Sequence, residues 1–414
     1  MALSADEQME FKVRVSNIFR PGTPINHQKL FAGRQSQVND VLNATLQPGR
    51  HIVMFGERGV GKTSLARIIS AVVSQSGHAL LDCHTINCDG TDDFSSLFRK
   101  IFREISFVQG TKFQGFSQEQ AAARVALDQI LPDRTLQPDD VRYVLTRLGT
   151  PALIVIDEVD KLSDRGARRQ LADTIKTLSD HAVPATLMLI GVADSVEELI
   201  AEHQSIERAL VQVPMQRMSR AELMQIVSTG LNESGLTAEE GVESWTSRLS
   251  QGLPHYTHSL SLYAAFTAIQ EGRTHIAVTD VLAATKTMVE KSHTLRTAYN
   301  NATGSPQQQS LYGQVLRACA LADTDELGYF RASALTAPMT TIMRKKYDVP
   351  SFRRHLFEFC EVRRGPVLKR IGEPRSFKFR FVDPMMQPFV IVHDYSINAL
   401  TNELLRKSRG RTAE

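Results

Sequence analysis

Several features of secreted and membrane proteins are scarce or missing in this sequence. Only four of its 414 residues are cysteines (Cys83, Cys88, Cys319 and Cys360), too few for a disulfide framework in a chain of this length. No apolar run approaches the roughly 20 residues that a membrane-spanning helix requires. The first residues lack the basic segment and apolar core of a secretory signal peptide. These absences favour a cytoplasmic protein.

An excess of charge and a metal-ligand pattern are also missing. The net charge is only +3, so any electrostatic inference has to be regional. Cys83, His84 and Cys88 lie close together but lack the second ligand pair of a zinc site. We therefore interpret this stretch as a buried strand and its end.

The order of apolar segments indicates an α/β domain first. Short apolar runs at 51–55, 79–87, 151–156, 185–190 and 210–213 predict strands, and helical patterns at 62–73, 94–105 and 141–148 lie between them. Strands that alternate with helices predict a mostly parallel sheet, which closes near residue 215. Residues 106–136 are less regular and are interpreted as an insertion.

The remaining chain predicts two further units. Every periodic segment between 218 and 290 predicts a helix, so residues 216–298 are expected to form an all-helical domain. Residues 300–306 have the composition of a polar linker. Residues 307–395 predict three helices and a β-hairpin, the pattern of a winged helix-turn-helix, followed by a basic tail at 396–414.

A phosphate-binding loop follows the first strand. The segment fits G-x-x-x-x-G-K-[ST] in full and comprises Gly56, Glu57, Arg58, Gly59, Val60, Gly61, Lys62, Thr63 and Ser64. Its glycines let successive N–H groups point at phosphate oxygens, and the next helix directs its positive dipole end to the same anion. Lys62 is expected to reach the β- and γ-phosphates, and the Thr63 hydroxyl to ligate Mg²⁺.

An acidic pair follows the strand at 151–156. Asp157 is placed to hold Mg²⁺ through water, and Glu158 to orient and deprotonate the water that attacks ATP. For Asp160 and Lys161, charges at the start of a helix are the better interpretation. The sequence therefore predicts an ATPase.

These two motifs resemble those of AAA+ ATPases, in the clade of origin-recognition initiators and related bacterial and archaeal ATPases. The resemblance covers residues 31–392 and implies a P-loop domain (1–215), a helical lid (216–298) and a C-terminal winged helix. It places Gly33 and Arg34, in the N-terminal segment 1–48, near the adenine of ATP. Asp194 stands where the family usually has the asparagine called sensor 1, so γ-phosphate positioning departs from the family pattern here.

Two more positions follow from the resemblance. Arg208 matches the arginine finger, a cation that reaches the γ-phosphate of a neighbouring subunit and so implies a homo-oligomer; a surface ion pair is the alternative. His255 stands at the sensor 2 position, where related proteins often have arginine. Histidine is mostly neutral at pH 7, so a helix N-terminal histidine packed beside Tyr256 is the favoured alternative.

The C-terminal unit concentrates positive charge. Residues 344–380 contain twelve basic and four acidic side chains, a local balance of +8. This is the charge pattern of a duplex-binding face. The candidate DNA contacts lie on the recognition helix and the wing: Arg353, Arg354, Arg370, Arg375 and Lys378.

Three functions are compatible with these patterns. The first is an initiator-like protein in which ATP controls DNA binding. The second is a signalling or remodelling ATPase, of a mobile-element or phage-defence type, whose winged helix docks a partner protein or autoinhibits. The third, a non-catalytic scaffold, is disfavoured because Asp157 and Glu158 are both present.

Overall fold

The computed structural model describes residues 3–23, 33–75, 81–109, 123–200, 206–306, 310–325, 327–374 and 376–401. The candidate DNA contact Arg375 lies outside these ranges, as do most of the residues between the first helix and Gly33. No helix within the described ranges is both long enough and apolar enough to span a bilayer.

The first part of the chain is an α/β unit. Its strands are β1 (His51–Gly56), β2 (Asp82–Asn87), β3 (Ser106–Gln109), β4 (Ala123–Ala126), β5 (Ala152–Asp157), β6 (Ala185–Val192) and β7 (Leu210–Pro214). Its helices are α1 (Ala5–Ile18), α2 (Gln35–Thr45), α3 (Lys62–Gln75), α4 (Phe94–Glu104), α5 (Pro138–Leu145), α6 (Arg165–Asp180) and α7 (Val196–Leu199).

Five of these strands form one parallel sheet in the order β2-β5-β6-β1-β7. All six residues of β1 and of β5 are buried, as expected for central strands that are covered on both faces. The carboxyl ends of all five strands meet at one edge, which is where open parallel sheets bind ligands. The predicted parallel sheet is confirmed.

Alternate residues of the strands supply two apolar layers. One face packs on α2 and α3 through residues such as Met54 and Val155. The other packs on α4, α5 and α6 through Ile154 and Leu189. Each large side chain removed from water in these layers contributes about 1.5–3 kcal/mol relative to exposure. The sheet edge that carries the phosphate loop is therefore fixed from both sides.

The segment predicted to be an irregular insertion is partly regular. β3 and β4 form an antiparallel pair within it, at the end of α4. Both strands are only four residues long, too short to give a recognisable alternation.

The second unit consists of α8 (Arg220–Ser234), α9 (Val242–Ser250), α10 (Pro254–Gln270), α11 (Val278–Lys291) and α12 (His293–Thr303), with a two-residue parallel pair of β8 (Thr237–Ala238) and β9 (His275–Ile276). The N-terminal helix α1 packs against α8 and α10. The predicted linker at 300–306 is wrong for its first residues, because α12 continues to Thr303 and buries Ala302.

The C-terminal region, residues 312–396, alternates short helices and strands. Its elements are α13 (Tyr312–Leu321), β10 (Phe330–Arg331), α14 (Thr336–Met343), α15 (Val349–Glu358), β11 (Leu368–Ile371), β12 (Lys378–Phe381) and α16 (Met386–Ser396). The three strands form an antiparallel sheet in the order β10-β12-β11. The predicted three helices and hairpin are present, and β10 and α16 are additional. The predicted boundaries between the units stay predictions.

Candidate nucleotide site

The phosphate loop connects β1 to α3 and lines a cavity of about 490 Å³. Gly59 and Gly61 have φ values of 86° and 97°, which allow the tight turn before α3. The loop residues on the cavity wall are Arg58, Gly59, Val60, Gly61, Lys62, Thr63 and Ser64. A cavity of this size at a sheet edge is suited to a small ligand.

Lys62 is buried at the base of this loop. Its ammonium donates to the carbonyl oxygens of Gly56 and Glu57 at 2.9 and 2.8 Å. Burial lowers the pKa of Lys62 to about 8, against the opposing effect of Asp160, Asp157 and Glu57. An anion in the cavity would therefore stabilise the charged form of Lys62.

Thr63 and Asp157 meet at the centre of the site. The Thr63 hydroxyl donates to Oδ2 of Asp157 at 2.7 Å, and the other oxygen of Asp157 accepts from the Glu158 amide at 2.8 Å. A hydroxyl beside a buried carboxylate is a set of hard oxygen donors, the chemistry that Mg²⁺ prefers. These residues fit the predicted metal role. Among the described residues, no group of three or more His, Cys, Asp or Glu could hold a metal on its own.

Glu158 adopts a left-handed backbone conformation, with φ of 61°. Such a conformation is costly for a non-glycine residue, and strained residues of this kind are enriched at functional sites. Its carboxylate accepts from the Lys161 ammonium at 2.7 Å, and both side chains are about half exposed. The sequence alone indicates only a helix-start charge at Lys161. In the structure, Lys161 pairs with Glu158, the residue predicted to act as the general base.

The other end of the cavity is bounded by the N-terminal segment and α10. Gly33 precedes Arg34, and the Arg34 amide donates to Glu222 of α8 at 3.3 Å, while its guanidinium donates to the Gln216 carbonyl. His255 lies in the first turn of α10, pairs through Nδ1 with the Pro21 carbonyl at 2.8 Å, and contacts the Tyr256 ring edge-on. Burial lowers the pKa of His255, so the imidazole is neutral.

Asp194 does not line this cavity, because its carboxylate faces the C-terminal region. It accepts hydrogen bonds from Tyr329 at 2.8 Å, from Lys369 at 3.1 Å and from Arg380. Burial raises the pKa of Asp194, but the bonds from Arg380 and Tyr329 outweigh it, so the pKa lies below its usual value. We call these four residues the Asp194 cluster. In this arrangement Asp194 cannot act as sensor 1.

A second contact joins the C-terminal region to the phosphate loop. Arg217 pairs with Glu57 at 2.8 Å, donates to the Gln251 carbonyl at 3.1 Å, and donates to Gln387 of α16. We call these four residues the Arg217 cluster. One guanidinium thus binds the loop, the helical unit and the C-terminal region, and Glu57 faces this cluster instead of the cavity.

Close backbone packing accompanies the Arg217 cluster. Gly328 has φ of 78°, and a β-carbon there would clash with Oε1 of Glu57. At Gly59, a β-carbon would approach the Met385 sulfur to 3.0 Å. The Tyr256 hydroxyl also donates to the Met385 carbonyl at 2.8 Å. The C-terminal region therefore packs directly on the loop that is expected to hold phosphate.

Arg208 lies at the opposite end of the sheet. It precedes β7 in a 3₁₀ turn, and its carbonyl accepts from Arg50, just before β1, at 2.5 Å. The phosphate loop follows the far end of β1, about 16–20 Å away at 3.3 Å per strand residue. The exposed Arg208 side chain therefore cannot reach the cavity of its own chain. This position is compatible with a role at the site of a neighbouring subunit.

The structure separates the predicted DNA contacts into two groups. Arg354 pairs with Glu358 at 2.8 Å and Lys378 with Asp325 at 2.8 Å. Arg353 and Arg370 are exposed, and both guanidiniums stack on the Phe357 ring at 5.4 and 4.8 Å. Of these four predicted contacts, only Arg353 and Arg370 lack a carboxylate partner among the described residues.

Sequence reasoning missed both clusters. Tyr329 and Arg380 lie 135 and 186 residues from Asp194 along the chain, so no local spacing connects them. The excess of positive charge at 344–380 is the one available signal, and the sequence alone indicates a DNA-binding face, with docking of a partner protein or autoinhibition as the alternative. In the structure, Lys369 and Arg380 instead bind a carboxylate within the molecule.

Comparison with known families agrees with the geometry of the loop. The family model described as Novel STAND NTPase 1 matches residues 24–270, which include the whole α/β unit from Gly33 onward and most of the helical unit. No curated protein matches the chain significantly.

Solved structures of two ORC proteins and one Cdc6 protein align over nearly the whole chain. The ORC1 protein of Aeropyrum pernix in complex with DNA is 14% identical, with 93% of this chain and 97% of that one covered and a TM-score of 0.50. The ORC2 protein of the same organism, in ADPNP–ADP complexes, is 13% identical over 95% and 98%, with a TM-score of 0.49. Cdc6p of Pyrobaculum aerophilum is 13% identical, with 93% of this chain and 99% of that one covered and a TM-score of 0.45. The alignment with ORC1 shows a shared fold, which confirms the AAA+ resemblance at that level.

Proposed function

Because the chain belongs to the Novel STAND NTPase 1 family, we propose that it binds and hydrolyses MgATP and that its C-terminal region, a winged-helix domain, holds the nucleotide site in a resting state. The Asp194 cluster is the observation that carries this proposal. It turns the residue at the sensor 1 position away from the cavity and toward Tyr329, Lys369 and Arg380. The nucleotide site and the C-terminal region therefore compete for one carboxylate.

Each catalytic group has a defined task in this proposal. Lys62 exchanges its bonds to the Gly56 and Glu57 carbonyls for bonds to the β- and γ-phosphates. Thr63 and Asp157 would hold Mg²⁺, which neutralises charge on the phosphate oxygens. Glu158 orients a water molecule and takes its proton.

Two features of the site support a resting state. Lys161 neutralises Glu158, and Asp194 is held outside the cavity. The Lys161 pair is exposed, and such pairs contribute at most about 1 kcal/mol. Bound MgATP can therefore displace Lys161 easily, whereas release of the more buried Asp194 cluster requires movement of the C-terminal region.

Hydrogen exchange of the Glu158→Gln protein tests the docked state. This variant is expected to bind MgATP and barely hydrolyse it, so that the ATP-bound state persists. We expect the amides of β11 and β12 to exchange faster with MgATP than with MgADP, because release exposes the sheet. Equal exchange in both nucleotides, with ATP demonstrably bound, would contradict control of the C-terminal region by nucleotide.

The released C-terminal region also has a candidate partner, which is duplex DNA. Arg353 and Arg370 are exposed without a neutralising carboxylate, and Arg344, Lys345 and Lys346, in the segment between α14 and α15, are exposed as well. Basic residues that contact phosphates give binding that weakens steeply with salt.

DNA titrations of Glu158→Gln across a salt series, with MgATP, with MgADP and without nucleotide, separate a DNA partner from a protein partner. Arg353→Glu with Arg370→Glu should abolish binding, whereas Arg147→Glu, at an exposed arginine of the nucleotide domain, should not. No binding in any nucleotide state would favour a partner protein as the target of the released region.

A further inference from the structure

One face of the C-terminal sheet carries three hydrogen-bond donors side by side. Lys369 of β11 is in register with Arg380 of β12, and Tyr329 immediately precedes β10, the strand on the other side of β12. We call Tyr329, Lys369 and Arg380 the donor row. The buried side chain of Phe379, next to Arg380 on the strand, points to the opposite face. The donor row therefore belongs to the face that meets the nucleotide domain.

Contacts inside the C-terminal region hold the donor row in place. The Arg380 guanidinium lies 4.6 Å from the centroid of the Tyr329 ring and donates to the Leu327 carbonyl at 2.9 Å. The Lys369 ammonium lies 5.6 Å from the centroid of the same ring. None of these contacts involves the nucleotide domain, so the arrangement of the donors does not depend on docking.

Asp194 shows which chemical group the donor row binds. One carboxylate oxygen of Asp194 accepts from Tyr329 at 2.8 Å and from Lys369 at 3.1 Å, and the other oxygen accepts from Arg380. Charge-assisted hydrogen bonds of this kind are about twice as strong as neutral ones. Within the described ranges, Asp194 is the one carboxylate that pairs with Lys369 or Arg380. Release of the region therefore leaves both cations without a counter-charge.

The rest of this face favours a protein ligand over nucleic acid. Ile371, two residues beyond Lys369 on β11 and so on the same face, is 43% exposed, and Leu327 is 38% exposed. Protein interfaces combine apolar side chains with charge, whereas DNA-binding surfaces are more polar. The candidate DNA contact Arg370 is in register with Phe379 and therefore lies on the opposite face of the sheet. A duplex bound at Arg370 would leave the donor row free.

We propose that the donor row is a docking surface for an acidic segment of a partner protein, whose carboxylate takes the place of Asp194. This inference rests on the proposed release of the C-terminal region and identifies the partner of the released form by its chemistry. The acidic segment and the nucleotide domain compete for the same donors, so the segment stabilises the released form. By the same linkage, release raises the affinity for the segment.

Binding of deca-aspartate, a minimal acidic polypeptide, tests this surface. Fluorescently labelled deca-aspartate is titrated without nucleotide into the wild type, into Asp194→Ala, and into Asp194→Ala combined with Arg380→Ala. Asp194→Ala should bind about tenfold more tightly than the wild type, because its donor row has lost the competing carboxylate. Addition of Arg380→Ala should weaken binding about tenfold again, the effect typical of a lost hydrogen bond to a charged group.

Two further changes in the Asp194→Ala protein control for charge and for folding. Arg147→Ala, at an exposed arginine of the nucleotide domain, should alter the affinity less than about twofold, because distant charges are screened. Tyr329→Phe removes only the hydroxyl and should weaken binding about threefold. If the protein with Arg380→Ala fails to unfold cooperatively on heating, Tyr329→Phe still decides the question.

The release of a fluorescent ADP measures the competition itself. Deca-aspartate should accelerate ADP release from the wild type and should not affect Arg380→Ala, in which the donor row is incomplete. Deca-aspartate that binds Asp194→Ala as expected but leaves ADP release from the wild type unchanged would overturn control of the nucleotide site by the C-terminal region. The docking surface would stand in that case, because its binding test contains no nucleotide.

Two results would overturn the docking surface. The first is deca-aspartate that binds none of these proteins, or that binds with an affinity unchanged by both Arg380→Ala and Tyr329→Phe. The second comes from a DNA duplex titrated into the same proteins. If the duplex loses as much affinity as deca-aspartate when Arg380 is removed, the donor row is a site for phosphate backbones and not for an acidic protein segment.

Discussion

Removal of Arg380 should release the C-terminal region and accelerate nucleotide exchange. The Arg380 and Asp194 side chains are 11% and 17% exposed, so their ion pair is largely buried. Removing one partner of a fully buried pair costs about 3–5 kcal/mol. Asp194 keeps its bonds to Lys369 and Tyr329 in the variant. We therefore expect Arg380→Ala to destabilise the docked arrangement by less, about 2 kcal/mol. This corresponds to a roughly 30-fold rise in the ratio of released to docked protein.

The assay is the release rate of a fluorescent ADP after mixing with excess unlabelled ADP. Arg380→Ala should release ADP about 30-fold faster if release requires undocking. Lys369→Ala should have a smaller effect, below about fivefold, because Lys369 is 40% exposed and exposed ion pairs contribute at most about 1 kcal/mol. Arg331→Ala, on β10 of the same sheet, is the control. Equal rates for Arg380→Ala and Arg331→Ala, in folded proteins, would refute the role of the Asp194 cluster.

Two further results are expected. Lys62 has a pKa of about 8 in the free protein, and triphosphate should raise it. MgATP affinity should therefore be constant below pH 8 and fall as the pH rises above it, with proton uptake that titration calorimetry in buffers of different ionisation heat can detect; no uptake at pH 8.5 would contradict a neutral fraction of Lys62. Arg208→Ala should lose ATP hydrolysis and keep ATP affinity, and wild-type turnover per molecule should rise with protein concentration. Turnover that is independent of concentration would count against a finger from a neighbouring subunit.

The elements around the phosphate site were predictable because their signals are local. β1 and β5 are continuous apolar runs followed by glycine or by acidic residues, and such runs determine both the strand and the position of its end. α4 has five buried apolar residues at helical spacing and a capping aspartate, so its boundaries follow from the sequence.

The remaining features depend on contacts that are distant in sequence. β10 has only two residues and exists because it pairs with β12. α16 is buried on most sides, so its apolar residues give no helical stripe that would distinguish a helix from a strand. The contacts of Asp194 and Arg217 come only from side chains that are distant in sequence and meet in the folded chain.

Gly328 is a position at which a substitution would disturb the packing of the C-terminal region on the phosphate loop. Its positive φ strains any residue other than glycine, and a side chain there would have to displace the Glu57 carboxylate, whose other oxygen pairs with Arg217. Replacement by a bulky neutral side chain would add no charge and would leave the residues that line the cavity unaltered. Such a chain should shift toward the undocked form without any nucleotide, and partners of that form could then be isolated from it.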